Sequence, residues 1–316
     1  MRYMLPFTVV LALLLISGCG SQVSTPQGDT STGPGTNSAG QVPSKLVFAF
    51  QKQNDPRRIR ETADQAAEFL TERLGIPTEV LIPASYGASV QAVVSNHAQV
   101  AYLSSIPFLL AREEAPVEML LAELREDRTE YDSVFVVRKD SPYQDLADLR
   151  GKRVMWTSPT STSGFVMAYS RLVDEGLLER RQPPSEFFES VNYAGGYDRA
   201  LLAVANDQAD VCAVSYYTIE GDRADVYSTP EMRENLRVLA RTSGVPTHLV
   251  CIRADLPDDL KQRIQAALLQ LSDERPELLA DVYGAAHFAV VQEEQHVEGA
   301  YRALQNTGLG LKGLVK

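Results

Sequence analysis

Three consecutive hydroxyl side chains lie where a strand-like run gives way to a helix-like one. Ser161, Thr162 and Ser163 fall within residues 156–165 (WTSPTSTSGF). Pro159 biases the residue before it toward extended backbone, and Ser and Thr are preferred at helix N-caps. The unpaired N–H groups of a helix start, with hydroxyls beside them, suit an anion. The run therefore predicts a loop that grips a small oxyanion. The alternative is an ordinary strand–loop–helix joint whose hydroxyls only cap.

The composition restricts the class of protein. The chain has 316 residues and is 44% hydrophobic, which is enough for two domains with buried cores. Its net charge of −11 argues against a general binder of nucleic acid or anionic membrane. The four histidines, at positions 97, 248, 287 and 296, are scattered and show no metal-ligand spacing. We therefore expect no metal site and no cofactor.

The N-terminus carries an export signal. Arg2 is followed by an apolar run and two small residues, which predicts a secretory signal rather than a membrane span. Residues 15–19 (LISGC) resemble the bacterial lipobox, which implies a signal peptide over 1–18, cleavage before Cys19 and a lipid on its thiol. A plain signal peptide cut nearby is the alternative. The expected location is the cell envelope, lipid-anchored, facing the periplasm or the exterior.

The residues that follow differ in composition from the rest of the chain. Residues 19–44 are rich in Ser, Thr, Gly and Pro and hold almost no large apolar side chains, so a disordered tether is predicted. The remaining cysteines, Cys212 and Cys251, each lie in an apolar strand-like run. Such runs favour small buried side chains over reactive thiols. Whether the two form a disulfide stays open.

Strand and helix patterns alternate along the folded part of the chain. Predicted strands are 45–50, 78–83, 100–103, 133–138, 152–156, 189–193, 211–214 and 247–252. Predicted helices are 55–74, 88–96, 107–114, a short one at 145–150, one after the hydroxyl run to about 175, then 200–206, 260–271, 277–283 and 293–304. The first β-α-β-α-β series predicts a mostly parallel sheet covered by helices on both faces. Residues 140–243 predict a second α/β unit.

Several motifs occur in an order that is characteristic of one family. They are 136–142 (VVRKDSP) leading to 148–153 (DLRGKR), 158–165 (SPTSTSGF), 200–206 (ALLAVAN) with 209–211 (ADV), and 282–284 (VYG). With these motifs, the chain from about 46 to 288 resembles the phosphate/phosphite/phosphonate-binding proteins of bacterial ABC importers.

The resemblance implies a fold and a function. The fold is α/β, a two-lobed periplasmic-binding-protein fold of type II, in which each lobe is a mostly parallel sheet flanked by helices. Lobe 1 would comprise 45–138 plus 246–316 and lobe 2 would comprise 139–245, with crossing strands near 134–139 and 245–253. Such a protein would be a monomer and not an enzyme. It would hold a small oxyanion (phosphite, phosphate or a simple phosphonate) between its lobes and deliver it to an ABC permease.

The resemblance also implies which residues hold the ligand. In the family a Ser-Thr-Ser run at a helix start binds the oxyanion, and here this run is 161–163. Tyrosines from the first lobe assist, and the matching positions are Tyr86 and Tyr131, with Tyr102 nearby. For each tyrosine, a packed and half-exposed aromatic without a binding role is the alternative.

Three positions depart from the family pattern. Tyr197 replaces a histidine after the glycine turn, His248 replaces an aspartate on the second crossing strand, and Tyr217 matches the acid that phosphonate binders use for a substrate amino group. A carboxylate can only accept, so it selects a ligand oxygen that carries a proton, whereas histidine can donate or accept. These changes argue against an aminoalkyl phosphonate, and a different oxyanion stays open. Tyr197 and His248 are kept as candidate ligand-binding residues, although His248 could instead be a hinge residue facing backbone.

Two other functions are compatible with part of the pattern. An envelope enzyme could pair His248 with a loop serine, but no G-x-S-x-G elbow is present. A sensory lipoprotein that presents its ligand to a membrane receptor kinase would have the same fold and site as a transport protein.

Overall fold

The computed structural model describes residues 40–51, 56–221, 224–283 and 287–315. The predicted signal peptide, the lipidation site Cys19 and the predicted tether up to residue 39 lie outside the described residues. All of the described residues belong to one compact unit. Within the described part of the chain, no helix combines the length and apolar character needed to cross a membrane.

The strands and helices alternate through most of the chain. The strands are β1 (Leu46–Phe50), β2 (Thr78–Leu81), β3 (Val100–Leu103), β4 (Val117–Leu124), β5 (Glu130–Arg138), β6 (Arg153–Trp156), β7 (Ser190–Tyr193), β8 (Val211–Ser215), β9 (Leu236–Pro246), β10 (Leu249–Arg253) and β11 (His287–Ala289). The α-helices are α1 (Pro56–Leu74), α2 (Tyr86–Val94), α3 (Ser105–Glu114), α4 (Ala168–Asp174), α5 (Tyr197–Ala205), α6 (Pro230–Glu234), α7 (Asp258–Glu274), α8 (Pro276–Tyr283) and α9 (Glu293–Thr307).

The strands form two sheets, and the predicted two-lobed α/β class is confirmed. The first sheet has the order β11-β4-β10-β3-β1-β2 and the second has the order β7-β6-β8-β5-β9. Each sheet is mixed rather than mostly parallel. β1 is parallel to β2 and β3, and β6 is parallel to β7 and β8, whereas β10 and β5 are antiparallel to both of their neighbours. The parallel parts come from strand–helix–strand units. Apart from the edge strand β11, the antiparallel strands are those next to the passages between sheets.

The chain passes between the two sheets twice. The first passage is at 125–129, between β4 and β5, and the second is at 247–248, between β9 and β10. The sequence prediction placed the first crossing at 134–139 and assigned 130–138 to lobe 1, but β5 pairs with β8 and β9 of the second sheet. An apolar run indicates a buried strand without indicating its neighbours.

Thr247 ties the two passages together. Its backbone N–H donates to the carbonyl of Thr129 (2.9 Å), and its hydroxyl donates to the carbonyl of Glu123 (2.6 Å). His296 of α9 approaches from the other side, with Nε2 2.9 Å from the Thr247 carbonyl. Both crossing segments and the last long helix therefore meet at one buried threonine.

A buried tryptophan anchors the segment that follows β6. Trp156, the last residue of β6, is fully buried and packs edge-on against Phe135, Phe165 and Phe188, with ring centroids 5.5 to 6.2 Å apart. Aromatic edge-to-face pairs add to the free energy of apolar burial. Since Phe165 lies just after the hydroxyl run, this packing holds that run against the second sheet.

The two remaining cysteines are free. Cys212 lies on β8 and Cys251 on β10, so they belong to different sheets, and both are fully buried. Burial raises the pKa of the Cys251 thiol to about 12 and raises the pKa of Cys212 well above its ordinary value. The thiolate is the reactive form, so burial makes both thiols inert.

We expect that iodoacetamide does not modify either thiol in native protein at pH 8. In a fragment of residues 38–316, intact-mass measurement should show no adduct under native conditions and two adducts after unfolding in urea. An adduct formed rapidly without denaturant would contradict the observed burial.

Candidate anion-binding site

The hydroxyl run begins with a wide helical turn. Residues Thr162–Met167 form a π turn that continues into α4, and the Val166 N–H donates to the Ser161 carbonyl (3.1 Å), five residues back. The Ser161 hydroxyl accepts from the Gly164 N–H (3.0 Å) and so caps the turn. The sequence predicted one regular helix here. Single π turns occur often at functional sites, because they displace backbone groups from the regular helical pattern.

Gly164 packs against the end of the preceding strand. Its carbonyl accepts from the Thr157 N–H (3.2 Å), and the Thr157 hydroxyl donates to the carbonyl of Ala213 on β8 (3.0 Å). A Cβ on residue 164 would overlap the Thr157 side chain and lie 2.9 Å from the Ser161 oxygen. Only glycine allows the strand end and the helix start to approach this closely.

Ser163 is the centre of a buried group of hydroxyls. Its Oγ lies 2.9 Å from the Tyr197 hydroxyl and 2.8 Å from the Ser215 hydroxyl, and its carbonyl accepts from the Ser133 hydroxyl (2.7 Å). These residues come from α5, the end of β8 and β5 of the second lobe. The structure therefore brings two of the predicted residues, Ser163 and Tyr197, into direct contact. Neither Ser133 nor Ser215 was predicted from the sequence.

Thr162 connects the two lobes. Its Oγ1 accepts from the backbone N–H of Ile106 at the start of α3 (3.0 Å). The N-cap residue of α3, Ser104, makes no side-chain capping bond of its own. A helix start has unpaired N–H groups, so Thr162 provides from the second lobe a cap that the first lobe lacks.

Several buried polar atoms have no hydrogen-bond partner among the described residues, including the hydroxyls of Tyr86 and Tyr131, Ser105 Oγ and Gln51 Nε2. Of these, all but one belong to the first lobe. The exception is Tyr131, which was predicted in the first lobe but lies on β5 of the second sheet. Gln51 and Ser105 follow β1 and β3, at the carboxyl edge of the parallel strands where ligands of open α/β sheets bind. Buried polar groups in proteins are nearly always paired, so such a set indicates a place for a polar ligand.

The two tyrosines are suited to donating hydrogen bonds. The pKa of Tyr86 and of Tyr131 is raised well above its ordinary value, first because of burial and next because of Tyr197. For Tyr131, the hydroxyls of Ser163 and Ser215 act in the opposite direction, which places its phenol beside the Ser163 group. A neutral phenol keeps its O–H proton and can donate it to an anion.

A buried charged cluster lies next to these phenols. Glu123 is in contact with three partners: the Tyr102 hydroxyl donates to its carboxylate, Arg125 Nε lies 2.5 Å from Oε1, and His248 Nδ1 lies 3.4 Å from Oε2. The His248 ring stacks on Tyr102 with centroids 5.2 Å apart and is parallel to Tyr131 at 6.3 Å. Tyr102, a predicted ligand donor, thus gives its hydroxyl to Glu123.

Electrostatics keep the Glu123 carboxylate charged. Burial alone would raise its pKa, but Arg125, and after it His248 and Tyr102, outweigh burial and hold the pKa below its ordinary value. This cluster was not predicted from the sequence, because the strand β4 was not predicted. The available signal was the pair Glu123 and Arg125, two charged residues with strand spacing directly after an apolar run.

The chain forms two mixed sheets joined by two crossing segments, and hydroxyls gather where the lobes meet. These features define a two-lobed solute-binding fold of the periplasmic type. Residues 48–296 match the model of the family described as ABC transporter, phosphonate, periplasmic substrate-binding protein. The match takes in well over half of the chain, so the chain belongs to this family, and the predicted resemblance is confirmed.

Individual relatives agree with this assignment. The chain is 26% identical over 224 residues to the phosphonates-binding periplasmic protein of Escherichia coli (strain K12), covering 69% of this chain and 64% of that protein. It is 25% identical over 202 residues to the phosphate-import protein PhnD of Mycolicibacterium smegmatis, covering 62% and 60%. The matches thus span less than two thirds of these relatives' own lengths.

The fold is shared with a solved structure of PhnD1 from Prochlorococcus marinus (MIT 9301) in complex with methylphosphonate. The TM-score is 0.72 at 17% identity, covering 84% of this chain and all of that one. At this identity the likeness shows the fold alone.

Proposed function

We propose that this protein captures a small phosphorus oxyanion between its two lobes and delivers it to an ABC permease in the membrane. The candidate ligands are phosphite, phosphate and a simple phosphonate. The observation that carries the proposal is the set of buried hydroxyls at the junction of the lobes, with Ser163 at its centre and the phenols of Tyr86 and Tyr131 beside it. Members of the matched family act in transport as binding proteins, and we propose the same non-enzymatic role for this chain.

The ligand-binding residues that we propose come from both lobes. Ser161, Thr162, Ser163 and Tyr197 belong to the second lobe. Tyr86 belongs to the first lobe, and Tyr131 begins the strand that follows the first passage. His248 and Tyr102 lie at the edge of the site. The His248 ring stacks on Tyr102 and is parallel to Tyr131, and the Tyr102 hydroxyl donates to Glu123. Each hydrogen bond to a charged ligand contributes about 1.5–3 kcal/mol. A few such hydrogen bonds therefore supply the ~8 kcal/mol that micromolar affinity requires, after the cost of ordering the ligand and the side chains is subtracted.

Closure of the lobes is the proposed mechanism of capture. An anion bound by hydroxyls of both lobes stabilises the closed state over the open one, and only this difference in affinity can drive closure. The cap that Thr162 provides to α3 adds to the closed state, because a helix N-cap contributes about 1 kcal/mol. The closed form would dock on the permease as a monomer. A lipid on Cys19 would hold it in the envelope, facing the periplasm or the exterior.

A thermal-shift panel on residues 38–316 tests the class of ligand. The panel contains phosphite, phosphate, methylphosphonate, 2-aminoethylphosphonate, sulfate and arsenate. We expect at least one phosphorus oxyanion to raise the melting temperature at micromolar concentration, because a ligand that binds only the native state stabilises it by mass action. If no phosphorus compound shifts the transition while sulfate does, the ligand class is wrong.

Removing two hydroxyls from the run tests the site. In the double variant Ser161→Ala/Thr162→Ala, we expect the affinity for the best oxyanion of the panel to fall by about a hundredfold or more, that is, about 2.7 kcal/mol. Ser161 caps the π turn and Thr162 caps α3 across the cleft, so both the shape of the loop and the closed state lose support. Calorimetric titration measures the loss.

A matched control comes from the helix that continues the π turn. Ser170 of α4 is buried, and its hydroxyl accepts from Asn306 Nδ2 (2.9 Å), away from the Ser163 group. Ser170→Ala should leave the affinity unchanged. Undiminished affinity in the double variant would show that the run is not the ligand site.

A further inference from the structure

The resemblance to the family places Tyr217 at the position of an acid that would hold a substrate amino group, and the surroundings of Tyr217 suit a neutral phenol instead. The residue lies in a short 3-10 turn after β8, in the second lobe. Its side chain is 3% exposed, and its hydroxyl has no hydrogen-bond partner among the described residues. A buried phenol left without a partner costs free energy unless something else satisfies it.

The ring of Tyr217 lies within the tyrosine group of the candidate site. Its centroid is 5.3 Å from that of Tyr131 and 6.2 Å from that of Tyr197, whose hydroxyl contacts Ser163. Burial is the first cause that raises the pKa of Tyr217, with Tyr197 next, so the phenol keeps its proton at neutral pH. The hydroxyl is therefore a donor carried by a ring that packs among the rings of the other tyrosine donors.

Arg125 stacks on this ring from the passage between the lobes. Its guanidinium carbon lies 3.6 Å from the centroid of Tyr217, and its Nε is paired with Glu123. A guanidinium over a phenol ring is favourable and leaves a positive charge beside the position. The Glu123 carboxylate already contacts Arg125, Tyr102 and His248. A ligand ammonium placed here would meet a cation and a carboxylate that is already paired.

We propose that Tyr217 is a further ligand-binding residue, whose hydroxyl donates to the oxyanion and whose stacking with Arg125 excludes ligands that carry an amino group. This inference rests on the proposed function and narrows its ligand class to small oxyanions without an amine. Rejection by an unfavourable charge is a common way to obtain specificity between similar ligands.

The test is calorimetric titration of residues 38–316 with sodium phosphite, inorganic phosphate, methylphosphonate and 2-aminoethylphosphonate. The wild type should bind 2-aminoethylphosphonate at least about a hundredfold more weakly than methylphosphonate, because the ammonium would be buried without a counter-charge. The tightest ligand of the four then serves as the probe for variants.

Tyr217→Phe removes only the hydroxyl. We expect its affinity for the probe to fall about tenfold or more, the equivalent of one hydrogen bond to a charged group. Its melting temperature without ligand should not fall, because the hydroxyl has no partner to lose. The matched control is Tyr216→Phe: the neighbouring hydroxyl donates to Glu126 Oε1 (2.7 Å) at the edge of the protein, so its loss should not change the affinity.

The outcomes separate this inference from the proposed function. Unchanged affinity in Tyr217→Phe overturns the donor role, and tight binding of 2-aminoethylphosphonate by the wild type overturns the exclusion of amines. In both cases tight binding of a phosphorus oxyanion by the wild type leaves the proposed function intact. A wild type that binds none of the four ligands overturns both proposals.

Discussion

Replacing Glu123 by Gln should destabilise the protein by about 3–5 kcal/mol, the cost of leaving the other member of a buried ion pair uncompensated. Glu123 and Arg125 are both buried, and the Arg125 guanidinium contacts the carboxylate at 2.5 Å. Glutamine keeps the shape and an oxygen for Tyr102, but it carries no charge to balance Arg125. Urea unfolding of residues 38–316 at pH 7 measures the change in the free energy of unfolding.

The destabilisation should also depend on pH. The pKa of Glu123 in the folded protein is lower than its ordinary value of 4.5. A carboxylate with a depressed pKa contributes stability above its unfolded pKa and loses that contribution as the pH falls through its folded pKa. The difference between the wild type and Glu123→Gln should therefore be full at neutral pH and should narrow below about pH 4.5.

Two further variants control this result. Glu79 forms an exposed pair with Lys45 (2.9 Å), with side chains 61% and 48% exposed, so Glu79→Gln should change the stability by no more than about 1 kcal/mol. The double variant Glu123→Gln/Arg125→Met removes both charges and should recover part of the loss, because no unpaired buried charge remains. A single variant as stable as the wild type would mean that Arg125 is balanced by another group.

Replacing Gly164, which directly follows the hydroxyl run, by Ala should weaken ligand binding more than any single change within the run. The added Cβ would overlap Thr157, which is fully buried and bonded to Ala213 on β8. To relieve this overlap, either the Thr157 hydroxyl must give up its hydrogen bond to Ala213 of β8, or the start of the helix must move away from its Ser161 cap. We expect a destabilisation of about 1–3 kcal/mol from overpacking. We also expect an affinity loss of about a hundredfold or more, because donors shifted by about 1 Å no longer match the ligand.

Gly310→Ala is the control for this substitution. A Cβ on residue 310 would meet nothing within 4 Å, so both stability and affinity should stay at wild-type values. Thermal unfolding without ligand and calorimetric titration with the best oxyanion separate the two effects. If Gly164→Ala binds as tightly as the wild type, the hydroxyl run can shift without consequence and is not the ligand site.

The local signals in the sequence describe this protein well where the chain itself determines the geometry. The strand at 100–103 and the helix starting at Pro56 were predicted within a residue, because apolar periodicity and a proline act over a few neighbours. The helix start after β6 was predicted from Pro159 and the hydroxyls that follow it. Its form as a π turn was not predicted, because that form depends on the close approach of Gly164 to Thr157, whose N–H donates to the Gly164 carbonyl.

Strands with weak local patterns were missed. β9 and β11 are edge strands with partly exposed residues, and β4 follows α3 after a very short connection. Their backbone is extended because neighbouring strands offer hydrogen bonds, and not because of their own composition. Because β4 was not predicted, Glu123 was not recognised as a neighbour of His248. His248 was therefore interpreted as the replacement of an acid in a site that contains no acid.

The sequence by itself determined the two-lobed class, the family and the hydroxyl run at a helix start, because motifs and periodicity are written along the chain. Only the tertiary structure decided which sheet contains β5, that the Tyr102 hydroxyl serves Glu123, and that Thr162 caps α3 of the other lobe. Each of these contacts joins residues far apart in sequence. Their pairing depends on how the two passages between the sheets fold back on each other, and no local pattern records that geometry.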